Sequence, residues 1–286
     1  MVTTAANVVS ADGTVIGYES AGAGPPLLLV HGSTGTRARW SAVRVPLAER
    51  YTVHAMDRRG RGLSAIEAGP YSVRREAEDV AAVAEALGGN VGQVYAAGHS
   101  FGALALLEAA LITPAFRRIV VYEPPLPTPE RPVVSPKDWA RISAMSDPRE
   151  ILDEFYRLTL HLPEPDIKDL GDREFPHVAD SIAHTALREL AELKAYRGIE
   201  RFTDITVPVR MLLGTESPAY LRAATAAIAS RIPGATIVAM RGQGHQGIDF
   251  DPQQFVRAML DFDEDPKSVG RFANAYTSQC SCGSGS

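Results

Sequence analysis

The chain has 286 residues, 45% of them apolar and 22% charged, with a formal net charge of −5. That length and apolar content suit one large α/β domain that buries its core without disulfides or metals. The weak acidity carries no charged block, which excludes a basic nucleic-acid surface and a cationic membrane-binding face.

The N-terminal stretch MVTTAANVVSADG has no basic start and no long apolar core, so no secretory signal is read there. No uninterrupted apolar run reaches membrane length. The expected setting is cytoplasmic, with neither a membrane nor nucleic acid as partner. Strand-like runs follow at Thr14–Tyr18, Pro26–Val30, Tyr51–Met56, Gln93–Ala97, Arg118–Tyr122, Val207–Leu213 and Thr236–Met240. Several are rich in Val, Ile and Leu at both alternating positions, as parallel strands buried on both faces are. Asp12-Gly13 is a hairpin signal, so the sheet is expected to begin antiparallel. Helix patterns such as Val73–Leu87 and Gly102–Leu111 alternate with the strands, which argues for a doubly wound sheet.

From about Pro125 to Arg201 the strand rhythm stops. PPLPTPERPVVSP excludes a central strand or a helix interior. In the helix that follows, Asp147 is the expected cap, Pro148 fits the first turn, and Ile151, Phe155 and Leu158 share a face. A second helix is expected from near Pro176, with Val178, Ile182, Leu190 and Leu193 as its apolar stripe and Gly198 as its stop. This segment reads as a helical cap over the edge of the sheet where ligands bind. Cys280 and Cys282 both fall in SQCSCGSGS, which reads as a flexible tail over 266–286 and not as part of a disulfide framework.

The chemistry centres on Gly98-His99-Ser100-Phe101-Gly102. The motif follows a strand and opens a helix, the context a nucleophile elbow requires. Small residues on either side let strand and helix pass closely while the serine hydroxyl projects above the sheet. A serine needs a base, and His245, in the Gly-rich loop RGQGHQG after the last strand, has the best setting of the seven histidines. His161, His177 and His184 lie in the helical segment without the carboxylate or cysteine spacing of a metal set, so no metal is expected. The imidazole needs a carboxylate to fix its tautomer. Glu216, in MLLGTESP, is preferred for its place after a late strand, with Glu123, in VVYEPP, as the alternative. The N–H groups of Ser33, in HGSTG, and of Phe101 are the expected oxyanion donors. The basic turn DRRGRGLS over 57–64 lacks the spacing of a phosphate-binding loop and reads as structural.

The HGS segment, the DRRGRGLS turn, the GHSFG elbow, the late acid and the terminal GH occur in an order that resembles the α/β-hydrolase family, from about Val8 to Asp265. The resemblance implies an eight-stranded, mostly parallel α/β sheet with a helical cap inserted after strand six. The core is then 1–124 with 202–265, and the cap 125–201. The family's late acid commonly directly precedes a proline, where this chain has Ser217. The expected activity is serine hydrolysis of a small ester, lactone or related acyl substrate, through Ser100, His245 and an acid, without a cofactor. His31, Trp40, Trp139 and Phe155 are expected in the substrate pocket. The rival readings are a carbon–carbon bond-cleaving or cyclising natural-product enzyme on the same fold and a non-catalytic ligand-binding homologue. A homodimer is left open.

Overall fold

The computed structural model describes residues 2–66, 69–88, 91–127 and 133–264. The expected tail, with Cys280 and Cys282, lies outside the described residues.

The chain opens with β1 (Thr4–Val9) and β2 (Val15–Gly22), paired antiparallel with Val9 opposite Val15. The turn between them rests on Asp12-Gly13. The Asp12 carboxylate accepts the Thr14 N–H at 3.0 Å, and Gly13 takes a φ of 87°, which favours glycine. There follow β3 (Pro26–Val30), α1 (Ser41–Ala48), β4 (Thr52–Met56), α2 (Val73–Gly88), β5 (Val94–His99), α3 (Phe101–Ala109) and β6 (Phe116–Tyr122). The described residues form an eight-stranded sheet in the order β1-β2-β4-β3-β5-β6-β7-β8, where β7 is Val209–Gly214 and β8 is Thr236–Met240. β2 runs antiparallel to both neighbours, and the pairings from β4 through β8 are parallel.

β3 explains why the sheet is central. Leu28 and Val30 join the core on one face, Leu27 and Leu29 the core on the other, and all four are fully buried. A strand apolar at every position is stable only when both faces are covered. Trp40, Phe255 and Phe262 fill the layer beneath α1 and α10 (Pro252–Glu264), while α2, α3 and α8 (Ala219–Arg231) cover the opposite face.

Between β6 and β7 lie the helices α4 (Pro136–Ile142), α5 (Pro148–Phe155), α6 (Glu164–Val178) and α7 (Ile182–Ala195), so the helical cap follows strand six. Asp147 caps α5 as its sequence implies, accepting the N–H groups of Arg149 and Glu150 at 2.9 Å each. The helix expected from Pro176 begins instead at Ile182. Pro176 sits in the last turn of α6, where its missing N–H removes one backbone bond and the helix ends two residues later at Val178. α8 (Ala219–Arg231) returns the chain to β8, and the short α9 (Gly247–Phe250) precedes α10.

The basic turn after β4 is structural. Arg58 pairs with Glu76 of α2 and Glu189 of α7, Arg59 with Asp79 and Asp12, and Arg61 with Glu189. The three guanidiniums are buried, and the carboxylates beside Arg58 and Arg59 hold those two protonated against the cost of burial. One turn thereby ties the cap to the core.

Candidate active site

Ser100 stands between β5 and α3 with φ 54° and ψ −124°, a backbone geometry strained for any residue with a side chain. Three crowded approaches hold the bend. A Cβ on Gly102 would come within 2.2 Å of the His31 carbonyl oxygen, one on Gly98 within 2.7 Å of the Ala103 Cα, and one on Gly32 within 2.9 Å of the Ser100 Cβ. The Ser100 N–H donates to the Tyr122 carbonyl at 2.9 Å, which ties the bend to the end of β6. Phe101 is the first residue of α3, so its own helix offers no acceptor for its N–H.

The imidazole facing this edge is His245. It shares a cleft of about 410 Å³ with Ser100, Ser33, Thr34 and residues of the cap. Its loop is pinned twice. The His99 Nε2–H donates to the His245 carbonyl at 2.9 Å, and the Tyr122 hydroxyl donates to the Gly244 carbonyl at 2.5 Å. The His99 ring also packs against the His245 ring at 4.5 Å between centroids. Burial holds the His99 pKa well below the ordinary histidine value, so this second imidazole stays neutral beside the first.

The carboxylate on His245 is Glu123. Its Oε2 lies 2.6 Å from His245 Nδ1, and its Oε1 accepts the Gly214 N–H at 2.7 Å. Glu123 is fully buried and has φ 48°, so the chain leaves β6 through a left-handed turn that swings the carboxylate toward the last loop. Glu216, the acid preferred from sequence, does not meet His245. It is exposed, and it accepts a hydrogen bond from the Thr215 hydroxyl at 3.1 Å. The next residue, Ser217, is buried with its hydroxyl lacking a partner. The physical reason is reach. β6 adjoins β7 in the sheet, so both acids start near the same edge, but only the strained turn at Glu123 points a side chain inward.

Of the expected pocket residues, Phe155 lines the cleft with Leu160, Leu190, Leu193, Val133 and Tyr220. Ser33 lines it too, and Thr34 beside it has φ 60°. The other three expected pocket residues do not line this cleft. His31 is fully buried beneath the loop. Its Nδ1–H donates to the Gly32 carbonyl at 2.8 Å and its Nε2 accepts the Arg58 N–H at 3.0 Å, so it braces the HGS loop. Trp40 is fully buried in the core against Phe255, 5.9 Å between ring centroids. Trp139 lies on α4 with the Lys194 ammonium 4.4 Å from its ring centre. An indole is as useful to a core as to a pocket, and composition does not separate the two. Tyr122, whose hydroxyl pins the His245 loop, and Gln246, which lines the cleft, are marked by no motif in the sequence. Among the described residues no group of three or more His, Cys, Asp or Glu side chains is placed to hold a metal, and no helix is long and apolar enough to cross a membrane.

The family model described as "Alpha/beta hydrolase family" matches residues 27–258. The chain belongs to the alpha/beta hydrolase family. Among solved structures, an alpha/beta hydrolase from Sphaerobacter thermophilus is 31% identical and superposes with a TM-score of 0.77, covering 90% of this chain and 100% of that one. The esterase RhEst1 from Rhodococcus sp. ECU1013 is 27% identical with a TM-score of 0.74, covering 91% of this chain and 98% of that one. In sequence, the 2-(acetamidomethylene)succinate hydrolase of Mesorhizobium japonicum is 28% identical over 84% of this chain and 88% of its own length. These relatives are named as hydrolases and an esterase, which supports a hydrolase on this fold.

Proposed function

We propose that this member of the alpha/beta hydrolase family is a serine hydrolase of small esters, lactones or related acyl compounds, acting through Ser100, His245 and Glu123. The observation that carries this reading is the 2.6 Å bond between Glu123 and His245 Nδ1, made by an imidazole that shares one cleft with the strained Ser100. Glu123 holds the proton on Nδ1, which leaves Nε2 as the base.

In the proposed reaction the Ser100 oxygen attacks the acyl carbon and its proton passes to His245 Nε2. The negative charge that develops on the carbonyl oxygen is held by the N–H groups of Ser33 and Phe101, the latter at the positive end of α3. The bond to the leaving group breaks, and His245 returns the proton to it. Water then attacks the acyl-enzyme, gives its proton to His245, and the Ser100 oxygen departs and takes that proton back. The buried Glu123 carboxylate faces the imidazolium at each charged stage. Phe155, Leu160, Leu190 and Leu193 give the cleft an apolar wall suited to a hydrocarbon portion of the substrate.

The test is turnover of p-nitrophenyl butyrate by the purified chain and its Ser100→Ala and His245→Ala variants. Each variant is expected to lose at least about 10⁴-fold in kcat. Full turnover by Ser100→Ala would remove the serine mechanism.

A further inference from the structure

A second cavity, of about 250 Å³, adjoins the catalytic cleft and shares Ser33, Thr34, His99 and Gln246 with it. The remainder of its wall differs in kind. Beyond the shared residues the cleft wall is mostly apolar, whereas this cavity is lined by Arg39, Tyr156, Leu170 and Glu174 together with Gly32 and Gly35.

Arg39 is anchored from one side only. It donates to the Asp249 carboxylate through Nη1 and to the Gln246 side-chain oxygen through Nη2, while its buried Nε has no hydrogen-bond partner. Glu174 faces it across the cavity, with its Oε1 4.0 Å from Arg39 Nη1 and 3.6 Å from Arg173 Nε, both longer than a hydrogen bond. Arg173 lies 3.4 Å from Asp249. The wall therefore carries one guanidinium, Arg39, and one carboxylate, Glu174, backed by Arg173 and Asp249 so that the region is near neutrality, with one donor and one acceptor left incompletely satisfied. The Arg39 Nε is buried without a partner, the Glu174 carboxylate is partly exposed on the cavity wall, and a ligand that pairs with both satisfies them together.

We infer that this cavity is the subsite for a neutral carboxamide group on the substrate, whose carbonyl accepts from Arg39 and whose NH₂ donates to Glu174. A carboxylate of the same shape has no N–H for Glu174 and adds a third negative charge to two cations already paired. An alkylammonium has no acceptor for Arg39. An alkyl group leaves both orphaned. Because the cavity adjoins the cleft that holds Ser100, the amide end and the scissile acyl group belong to one molecule, with its apolar end under the cap. The inference names the substrate class of the site proposed above and rests on that reading.

The experiment compares hexyl 4-carbamoylbutanoate with hexyl hydrogen glutarate, which differ only in a terminal amide or carboxylate. It is run at pH 8.5, because burial raises the Glu174 carboxyl from its ordinary range and a high pH favours its charged form. Ester turnover is followed with the wild-type chain, and affinity is measured by calorimetry on Ser100→Ala. The expected result is a preference of about tenfold or more for the amide in both kcat/KM and Kd, narrowed to within about threefold by Glu174→Gln. Equal affinity for the two esters, a preference for the carboxylate, or binding of neither would overturn the subsite. Tight, amide-selective binding to Ser100→Ala without hydrolysis by the wild type would sink the hydrolase reading and leave the subsite standing.

Discussion

Replacing Glu123 by Gln removes one charge and keeps the shape. In the wild type its Oε2 lies 2.6 Å from His245 Nδ1 in a fully buried setting. In the proposed reaction that imidazole becomes a cation with the carboxylate beside it. Two unit charges with centres about 4 Å apart at an effective dielectric near 20 attract by about 4 kcal/mol. At 1.36 kcal/mol per decade that is about 10³-fold in rate. A glutamine NH₂ turned toward Nδ1 would also favour the wrong tautomer, so the expected loss in kcat is about 10³- to 10⁴-fold, with KM changed by less than about threefold. Glu216→Gln, an exposed side chain bonded to the Thr215 hydroxyl, is expected to stay within about twofold of wild type. Steady-state hydrolysis of p-nitrophenyl butyrate reads both. A large loss in Glu216→Gln with near-normal turnover in Glu123→Gln would refute the assignment and the tautomer argument behind it.

Gly102→Ala places a methyl group within 2.2 Å of the His31 carbonyl oxygen and 2.5 Å of that of Val30, both backbone atoms, and is expected to cost about 3 kcal/mol or more in chemical denaturation; a change below about 0.5 kcal/mol would show that the elbow is not held by this close approach. Glu189→Gln leaves the buried Arg58 and Arg61 short of a counter-charge, and a loss of about 3–5 kcal/mol is expected, read as a lower Tm; an unchanged Tm would mean that the ion pairs do not tie the cap to the core. Burial lowers the His54 pKa from 6.5 to about 4. The unfolded chain takes up this proton at a higher pH than the folded one, so the contribution is complete above pH 6.5 and is lost as the pH falls toward 4. With part of the ring in contact with solvent the effect is about 1–2 kcal/mol. The decline of Tm between pH 6.5 and 4 is therefore expected to be shallower in His54→Asn, and equal slopes would contradict it.

The elements that position the site were legible where local chemistry decides them. Leu27–Val30 can be stable only between two covered faces, and Asp12-Gly13 can hardly be other than a tight turn. The elbow at Ser100 was legible for the same reason, since two glycines bracket a serine between a strand and a helix. The acid was not. Nothing in VVYEPP announces that Glu123 takes a left-handed backbone, and the strain is tolerated only because His245 and the Gly214 N–H receive the carboxylate. The one available sign was negative: Ser217 occupies the place before Pro218 where an acid was expected. Trp40 and His31 were misplaced into the pocket because burial against a distant α10 and bracing of a loop are tertiary facts without a local pattern. Arg39 and Glu174 lie far apart in sequence on α-helical or turn segments of ordinary composition, so the second cavity is visible only in three dimensions.

The central claim is that the Ser100 hydroxyl is an activated nucleophile. Intact-mass spectrometry after brief treatment with a fluorophosphonate measures this without knowledge of the natural substrate. The account predicts one adduct per chain on the wild type, located at Ser100 by peptide mapping and absent from Ser100→Ala. An unmodified wild type, or an adduct that persists in Ser100→Ala, would contradict it.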